Sequence, residues 1–170
     1  MTPAAQDRTP EPQPEPTPVL TVAEVAALAR EAHAAQTDKA GRPYTEHLRA
    51  VADGVRSRGG DDEQIAAAWL HDSVEDGALT EQWLRGAPLT RRTKDIVLAL
   101  TKVAGEPQEA YAARILATDG ARLVKEADLA HNADPARLAV LDATTRARLT
   151  VKYTAMRALL GIGEGPEGSR

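Results

Sequence analysis

The chain has no cysteine and no phenylalanine, and its aromatic residues are two Trp and three Tyr among 170. Without thiols there is no disulfide framework, no Cys-based zinc site and no Cys nucleophile, so any metal must be bound by His and carboxylates. No run of about eighteen apolar residues is present, and the N-terminus lacks the basic-then-apolar order of a secretory signal. The expectation is a cytoplasmic chain with no membrane partner. A large excess of one charge is also missing. The 25 Asp and Glu against 21 Lys and Arg leave a net charge of −4, which excludes nucleic acid as the leading partner but leaves room for a local basic patch that holds a small polyphosphate. Sustained period-two alternation is absent, and Ala and Leu outnumber the residue types that strands favour. The expected fold class is all-α, a bundle of about seven to eight helices with a core of Ala, Leu and Val in close helix contacts.

Six of the eleven prolines lie within the first eighteen residues, between Gln, Glu and Thr, and residues 161–170 hold four glycines and one apolar side chain. Neither stretch buries enough apolar surface to offset its ordering entropy. The expected organisation is a disordered Pro-rich tail over 1–20, one domain over 21–160 and a loose tail over 161–170; oligomeric state is left open. Thr21-Val-Ala-Glu24 is a capping-box pattern that starts a first helix reaching about His33. Gly41 and Pro43 signal a loop, after which Thr45 is expected to cap a second helix carrying Leu48, Val51, Ala52 and Val55 until Gly59-Gly60. A third is expected to run from about Ile65 through a charged cluster to Gly77. Further helical patterns fall at Thr80 to Leu84, Thr90 to Lys102, from Pro107 through Leu116, Gly120 to His131 and Asp142 to Leu160.

The charged cluster is the main clue to function. Residues 69–79 read Trp69-Leu-His71-Asp72-Ser-Val-Glu75-Asp76-Gly-Ala-Leu79, an imidazole and three carboxylates in an otherwise apolar, Ala-rich segment. Ionisable groups are rarely buried unless they pair or hold a metal. If the helix continues, His71 stacks over Glu75 and Asp72 over Asp76, placing a metal-binding pair beside a carboxylate pair. A second acidic position, Asp128, sits on the apolar stripe of the Gly120 to His131 helix and asks for a partner. Asn132, one turn on, shares its face and can orient a ligand, while Lys125, one turn back, can meet a phosphate.

Four ordered pieces carry a resemblance over nearly the whole expected domain: Ala32-His33-Ala-Ala-Gln36-Thr-Asp38-Lys39-Ala-Gly41-Arg42-Pro43-Tyr44-Thr-Glu-His47; Ala67-Ala-Trp-Leu-His71-Asp72-Ser-Val-Glu75-Asp76; Leu100-Thr-Lys102; and Val124-Lys125-Glu-Ala-Asp128-Leu-Ala-His131-Asn132. The sequence resembles the HD-domain metal-dependent phosphohydrolases, and within them the hydrolase domains of RelA/SpoT homologues and the small alarmone hydrolases. The resemblance implies a divalent ion, Mn2+ or another, held by His47, His71, Asp72 and Asp128. It implies that Glu75 and Asp76 activate the attacking water, that Lys39 and Lys125 meet the pyrophosphate, and that Asn132 lies near the ribose of a small-molecule nucleotide. Tyr44 is expected at the pocket wall. His33 is expected to support packing and the metal shell indirectly, His131 to be structural or exposed, Gln36 to cap a helix or touch the nucleotide, and Arg91-Arg92 and Arg146 with Arg148 to be ordinary surface.

The sequence also departs from the family. Asp38 stands where an Arg that stacks on guanine is usual, and it cannot make that contact. Leu48, Gly77 and Leu129 replace the usual Pro, Thr and Arg. The expected reaction is removal of 3′-pyrophosphate from a guanosine tetra- or pentaphosphate-like alarmone. Asp38 motivates an adenine-type relative instead, because a carboxylate can accept a hydrogen bond from an exocyclic amine. Other readings left open are a nucleoside monophosphatase and a non-catalytic, metal-stabilised nucleotide-binding protein. The chain is expected to lack a synthetase domain, and so only to degrade such nucleotides.

Overall fold

Short-range capping places most of the helices. In the computed structural model, which describes residues 15–163, nine helices run in the order α1 (Val22–Ala32), α2 (Tyr44–Ser57), α3 (Asp62–Leu70), α4 (Glu81–Gly86), α5 (Arg91–Leu100), α6 (Gln108–Ala117), α7 (Ala121–Asn132), α8 (Pro135–Ala139) and α9 (Ala143–Leu159). Six of the nine begin behind a Thr or Asp whose side chain accepts a backbone N–H of the first turn: Thr21, Asp61, Thr80, Thr90, Asp134 and Asp142. Thr21 and Glu24 form the expected capping box. Among the described residues no strand occurs beyond one isolated bridge, Thr37 to Pro43, so the all-α class holds.

Three expectations need correction. Thr45 is not the cap of α2, because the helix starts at Tyr44 behind Pro43, which offers no side-chain acceptor. α8 was not anticipated, although Asp134 as cap with Pro135 at the first helical position is a legible signal for it. The third is the charged segment. α3 stops at Leu70, and residues 71–77 form successive turns that end at Gly77, whose φ of +73° suits glycine. On a regular helix adjacent residues diverge by about 100°, so His71 and Asp72 would point apart. Leaving the helix lets both reach one cluster.

α3 is the central element, with every residue from Gln64 to Leu70 buried. It packs against α1, α2 and α5, and α2 also lies along α7. Small residues set these distances. A Cβ added at Gly54 of α2 would come within 3.2 Å of Ala127 Cβ of α7, so the pair draws together the two helices that carry His47 and Asp128. The core is Ala, Val, Leu and Ile with Trp69 and Tyr111, as the composition implied. Packing runs slightly past the expected domain limits: the Leu20 N–H donates to the Pro88 carbonyl at 2.8 Å, and Ile162 is buried. Of the tails expected over 1–20 and 161–170, residues 1–14 and 164–170 lie outside the described residues. No helix among the described residues is long and apolar enough to cross a membrane.

Candidate metal centre and pocket

Four side chains from three segments converge, and three of them, His71, Asp72 and Asp128, line a cavity of about 340 Å3. His47 comes from the first turns of α2, His71 and Asp72 from the turn after α3, and Asp128 from α7. One ligand atom from each lies within 4.8 Å of the others. His47 Nε2 is 3.1 Å from Asp128 Oδ1 and 3.6 Å from Asp72 Oδ2; His71 Nε2 is 3.3 Å and 3.0 Å from the same oxygens. Despite these approaches the buried His71 Nε2 takes part in no hydrogen bond. Its Nδ1 donates to the Ala68 carbonyl at 2.6 Å, which leaves the lone pair on Nε2 in the neutral ring. An orphaned, buried nitrogen aimed at two carboxylate oxygens fits a divalent cation, and the two-nitrogen, two-oxygen donor set suits one that also keeps open positions.

The electrostatics support the same reading. Burial raises the cost of the Asp72 and Asp128 carboxylates, but the two imidazoles outweigh it at Asp72, and Lys125 with the imidazoles does so at Asp128, so both acids stay ionised below the usual range. Burial likewise opposes protonation of His47 and His71, yet the two carboxylates hold both imidazoles above their ordinary value. Protons and a divalent cation therefore compete for the same Nε2 lone pairs.

Neighbouring groups orient the four. The Tyr44 hydroxyl donates to Asp72 Oδ2 at 2.5 Å, and its ring stacks on the buried His33 at 5.6 Å between centroids. Tyr44 thus lines the cavity while serving Asp72. Lys125 Nζ bonds Asp128 Oδ2 at 2.7 Å and Asn132 Nδ2 donates to Asp128 Oδ1 at 2.9 Å. His131, expected to be structural or exposed, stands behind His47. Its Nδ1 lies 2.7 Å from His47 Nδ1, and the Arg137 guanidinium of α8 donates to it. Burial, Arg137 and His47 bring the His131 pKa down to about 4, so it is neutral, and its Nδ1 lone pair faces both the Arg137 guanidinium, itself 3.1 Å from His47 Nδ1, and the His47 ring. Such outer partners fix tautomer and ring orientation.

Glu75 and Asp76 separate in space. Glu75 lines the cavity, and its Oε1 accepts the Lys102 backbone N–H at 2.8 Å. Asp76 accepts from Gln36 Nε2 at 2.8 Å, and Gln36 Oε1 is in turn bonded to His33 Nδ1 at 2.6 Å. Gln36 therefore links His33 to the acidic pair and is not a helix cap. Burial, together with Asp72, pushes the Asp76 carboxyl upward. The expected stacking of His71 over Glu75 as a metal pair is not observed, since the metal cluster takes its other ligands from α2 and α7.

Asp38 also behaves differently from expectation. Its Oδ1 accepts the N–H groups of Ala40 and Arg42, both at 2.9 Å, and its Oδ2 pairs with Arg137 Nη2 at 3.3 Å. Both oxygens are committed to the loop and to α8, which leaves Asp38 poorly placed to read a base amine. Lys39 lines the cavity and makes no ion pair among the described residues. Arg92, expected as plain surface, ties Asp61, Glu63 and Asp119 together.

The far wall was not anticipated. Leu138, Val140 and Leu141, with Leu149, Tyr153 and Met156 of α9, supply an apolar side, and Lys152 stands among them. Lys152 left no signal in the sequence beyond its place on the same helical face as Leu149 and Met156.

Comparison with known proteins adds three findings. The HD domain family matches residues 26–128. Over 76 residues the chain is 40% identical to a protein of Synechocystis sp. named probable guanosine-3′,5′-bis(diphosphate) 3′-pyrophosphohydrolase, covering 45% of this chain and 10% of that protein. Over 58 residues it is 41% identical to the guanosine-3′,5′-bis(diphosphate) 3′-pyrophosphohydrolase of Haemophilus influenzae, covering 34% of this chain and 9% of that protein. The match thus spans about a tenth of the length of either relative.

Proposed function

The chain belongs to the HD domain family, and from that premise we propose that it is a manganese-dependent hydrolase that removes pyrophosphate from the 3′ position of guanosine tetra- or pentaphosphate or a close relative. The observation that carries this reading is the convergence of His47, His71, Asp72 and Asp128 beside a cavity whose walls also present Glu75, Lys39 and Lys125. Both relatives that the chain matches carry the name of this activity.

The four residues would hold the ion, which when bound supplies Lewis-acid charge and lowers the pKa of water. Glu75 keeps Oε2 free, since Oε1 is occupied by the Lys102 N–H, and can accept the proton of the attacking water. Asp76, held by Gln36 and pushed upward by burial, suits a proton relay behind it. The new bond joins the water oxygen to the phosphorus on the 3′ oxygen. The bond between that phosphorus and the 3′ oxygen breaks, and the ribose regains a hydroxyl by taking up a proton. Lys39 and Lys125 offset charge on the pyrophosphate. Asn132 gives one amide N–H to Asp128, which leaves its second N–H and its carbonyl to meet a ribose hydroxyl. With Asp38 turned to Arg137, the base is left to the apolar wall.

The test is release of inorganic pyrophosphate from guanosine 3′,5′-bis(diphosphate) by purified, manganese-loaded protein, with Asp72→Ala as the blank. No release above the blank would overturn the reading.

A further inference from the structure

Besides Lys39, three lysines from three different segments face the same cavity. Lys125 belongs to α7, Lys102 follows the C-terminal end of α5, and Lys152 lies in the middle of α9. Lys125 has a partner, the Asp128 carboxylate at 2.7 Å. Lys102 and Lys152 have none: among the described residues no carboxylate comes within 4.0 Å of either ammonium. The Lys102 and Lys125 ammonium groups each lie 5.5 Å from the centroid of the Tyr111 ring, so Lys102 stands one ring away from the lysine that touches the metal cluster. Lys152 lines the same cavity, and its charge acts on Lys102.

This is an unfavourable arrangement for the chain alone. Long lysines can swing into water, and like charges brought together in a recess repel. The strain shows in Lys102, whose pKa burial and the charges of Lys152 and Lys125 bring down to about 8. Unpaired cations gathered in a recess are what a multiply charged anion requires. We infer that Lys102 and Lys152 form a second anion subsite, which takes a phosphate group of the substrate other than the one attacked. The inference rests on the proposed phosphohydrolase reading for the identity of the substrate, but not for the existence of the subsite. That phosphate is either the terminal phosphoryl of the 3′-pyrophosphate or one on the 5′ side. Lys125, paired with Asp128, marks the side of the metal cluster, and Lys102 and Lys152 line the recess beyond it. The subsite makes the enzyme selective for substrates that carry more than one phosphate group.

Two measurements test this. The first compares KM for guanosine 3′-pyrophosphates bearing a 5′-diphosphate, a 5′-monophosphate or a 5′-hydroxyl, in the wild type, Lys102→Met, Lys152→Met and Lys152→Arg. The second measures binding of inorganic pyrophosphate and inorganic phosphate to the same metal-loaded proteins by calorimetry, which needs no turnover. Methionine keeps the aliphatic stem and removes the charge. A charge-assisted phosphate contact is worth about tenfold or more in affinity. The wild type is therefore expected to favour the more phosphorylated partner by about that factor in one of the two series. The 5′ series reports a 5′-side phosphate, and the pyrophosphate series reports the terminal phosphoryl of the 3′-pyrophosphate. Both methionine variants should bring that ratio close to one, and Lys152→Arg should restore it. If the wild type discriminates in neither series, or Lys152→Met keeps the full ratio, the subsite is refuted. If no nucleotide is hydrolysed but pyrophosphate binding falls tenfold in the methionine variants, the subsite stands and the proposed reaction falls.

Discussion

Asp128→Asn is the most informative single change. The side chain keeps its shape, so no cavity forms, but it loses the charge that answers four groups: Lys125 at 2.7 Å, Asn132 at 2.9 Å, His47 at 3.1 Å and His71 at 3.3 Å. Lys125 has a side-chain exposure of 12% and loses its ion-pair partner. Breaking a buried pair from one side costs about 3–5 kcal/mol. Relief of repulsion between Asp72 and Asp128 returns part of this, leaving a net loss of roughly 2–3 kcal/mol in chelator-treated protein. At about 2–4 °C per kcal/mol for a chain of this size, Tm should fall by roughly 5–10 °C. The second arm reads the metal. In the wild type, Mn2+ at a hundred times its Kd adds about 2.7 kcal/mol, a rise of roughly 5–11 °C. If Asp128 is a ligand, its loss should weaken binding by about a hundredfold or more, and the same Mn2+ concentration should then raise Tm by only about 1–2 °C. Thermal melts of both proteins, with chelator and with Mn2+, separate the two effects. A variant that melts early yet keeps the full wild-type response to Mn2+ would refute Asp128 as a ligand and leave it a structural partner of Lys125.

The charge of Lys102 is lost as pH rises through about 8, so log kcat/KM for a polyphosphorylated nucleotide should fall above that pH in the wild type, with Lys152, Lys125 and Glu75 as the charged neighbours that set the midpoint. The same profile in Lys102→Met should lack this limb, and an unchanged profile there would assign the titration elsewhere. Gly54→Val would press against Ala127 Cβ and push α2 off α7; a stability loss of about 1–3 kcal/mol and a weaker Mn2+ response in thermal melts are expected, and a neutral outcome would show that the helix contact is not limiting. Because Asp38 is tied to Arg137 and to the loop, guanine and adenine forms of the 3′-pyrophosphorylated nucleotide should differ by less than about tenfold in kcat/KM in the wild type, since an apolar wall discriminates weakly. A preference of a hundredfold or more would show that a polar group reads the base.

Several parts of this molecule are local and were therefore legible. The capping box at Thr21, the Thr and Asp starts of α4, α5 and α9 and the αL glycine before α7 each act within one turn of chain. The His-Asp and Glu-Asp pairs and Asp128 on an apolar stripe could be read because ionisable groups inside apolar segments need a reason. The same local logic failed at residues 71–77. Helical spacing predicted His71 over Glu75, but the demand that His71 and Asp72 meet His47 and Asp128 overrode the helix there.

The sequence by itself determined the fold class, the order of most helices and the kinds of side chain available for chemistry, because propensity, capping and periodicity act over a few residues. Tertiary packing decided which of those side chains meet. It set His131 and Arg137 behind His47, tied Asp38 at the cavity wall to α8, and gathered Lys102, Lys125 and Lys152 from three separate segments into one recess. These contacts join residues tens of positions apart. They depend on how closely helices approach, as at Gly54 and Ala127, and no pattern within a single helix carries that distance.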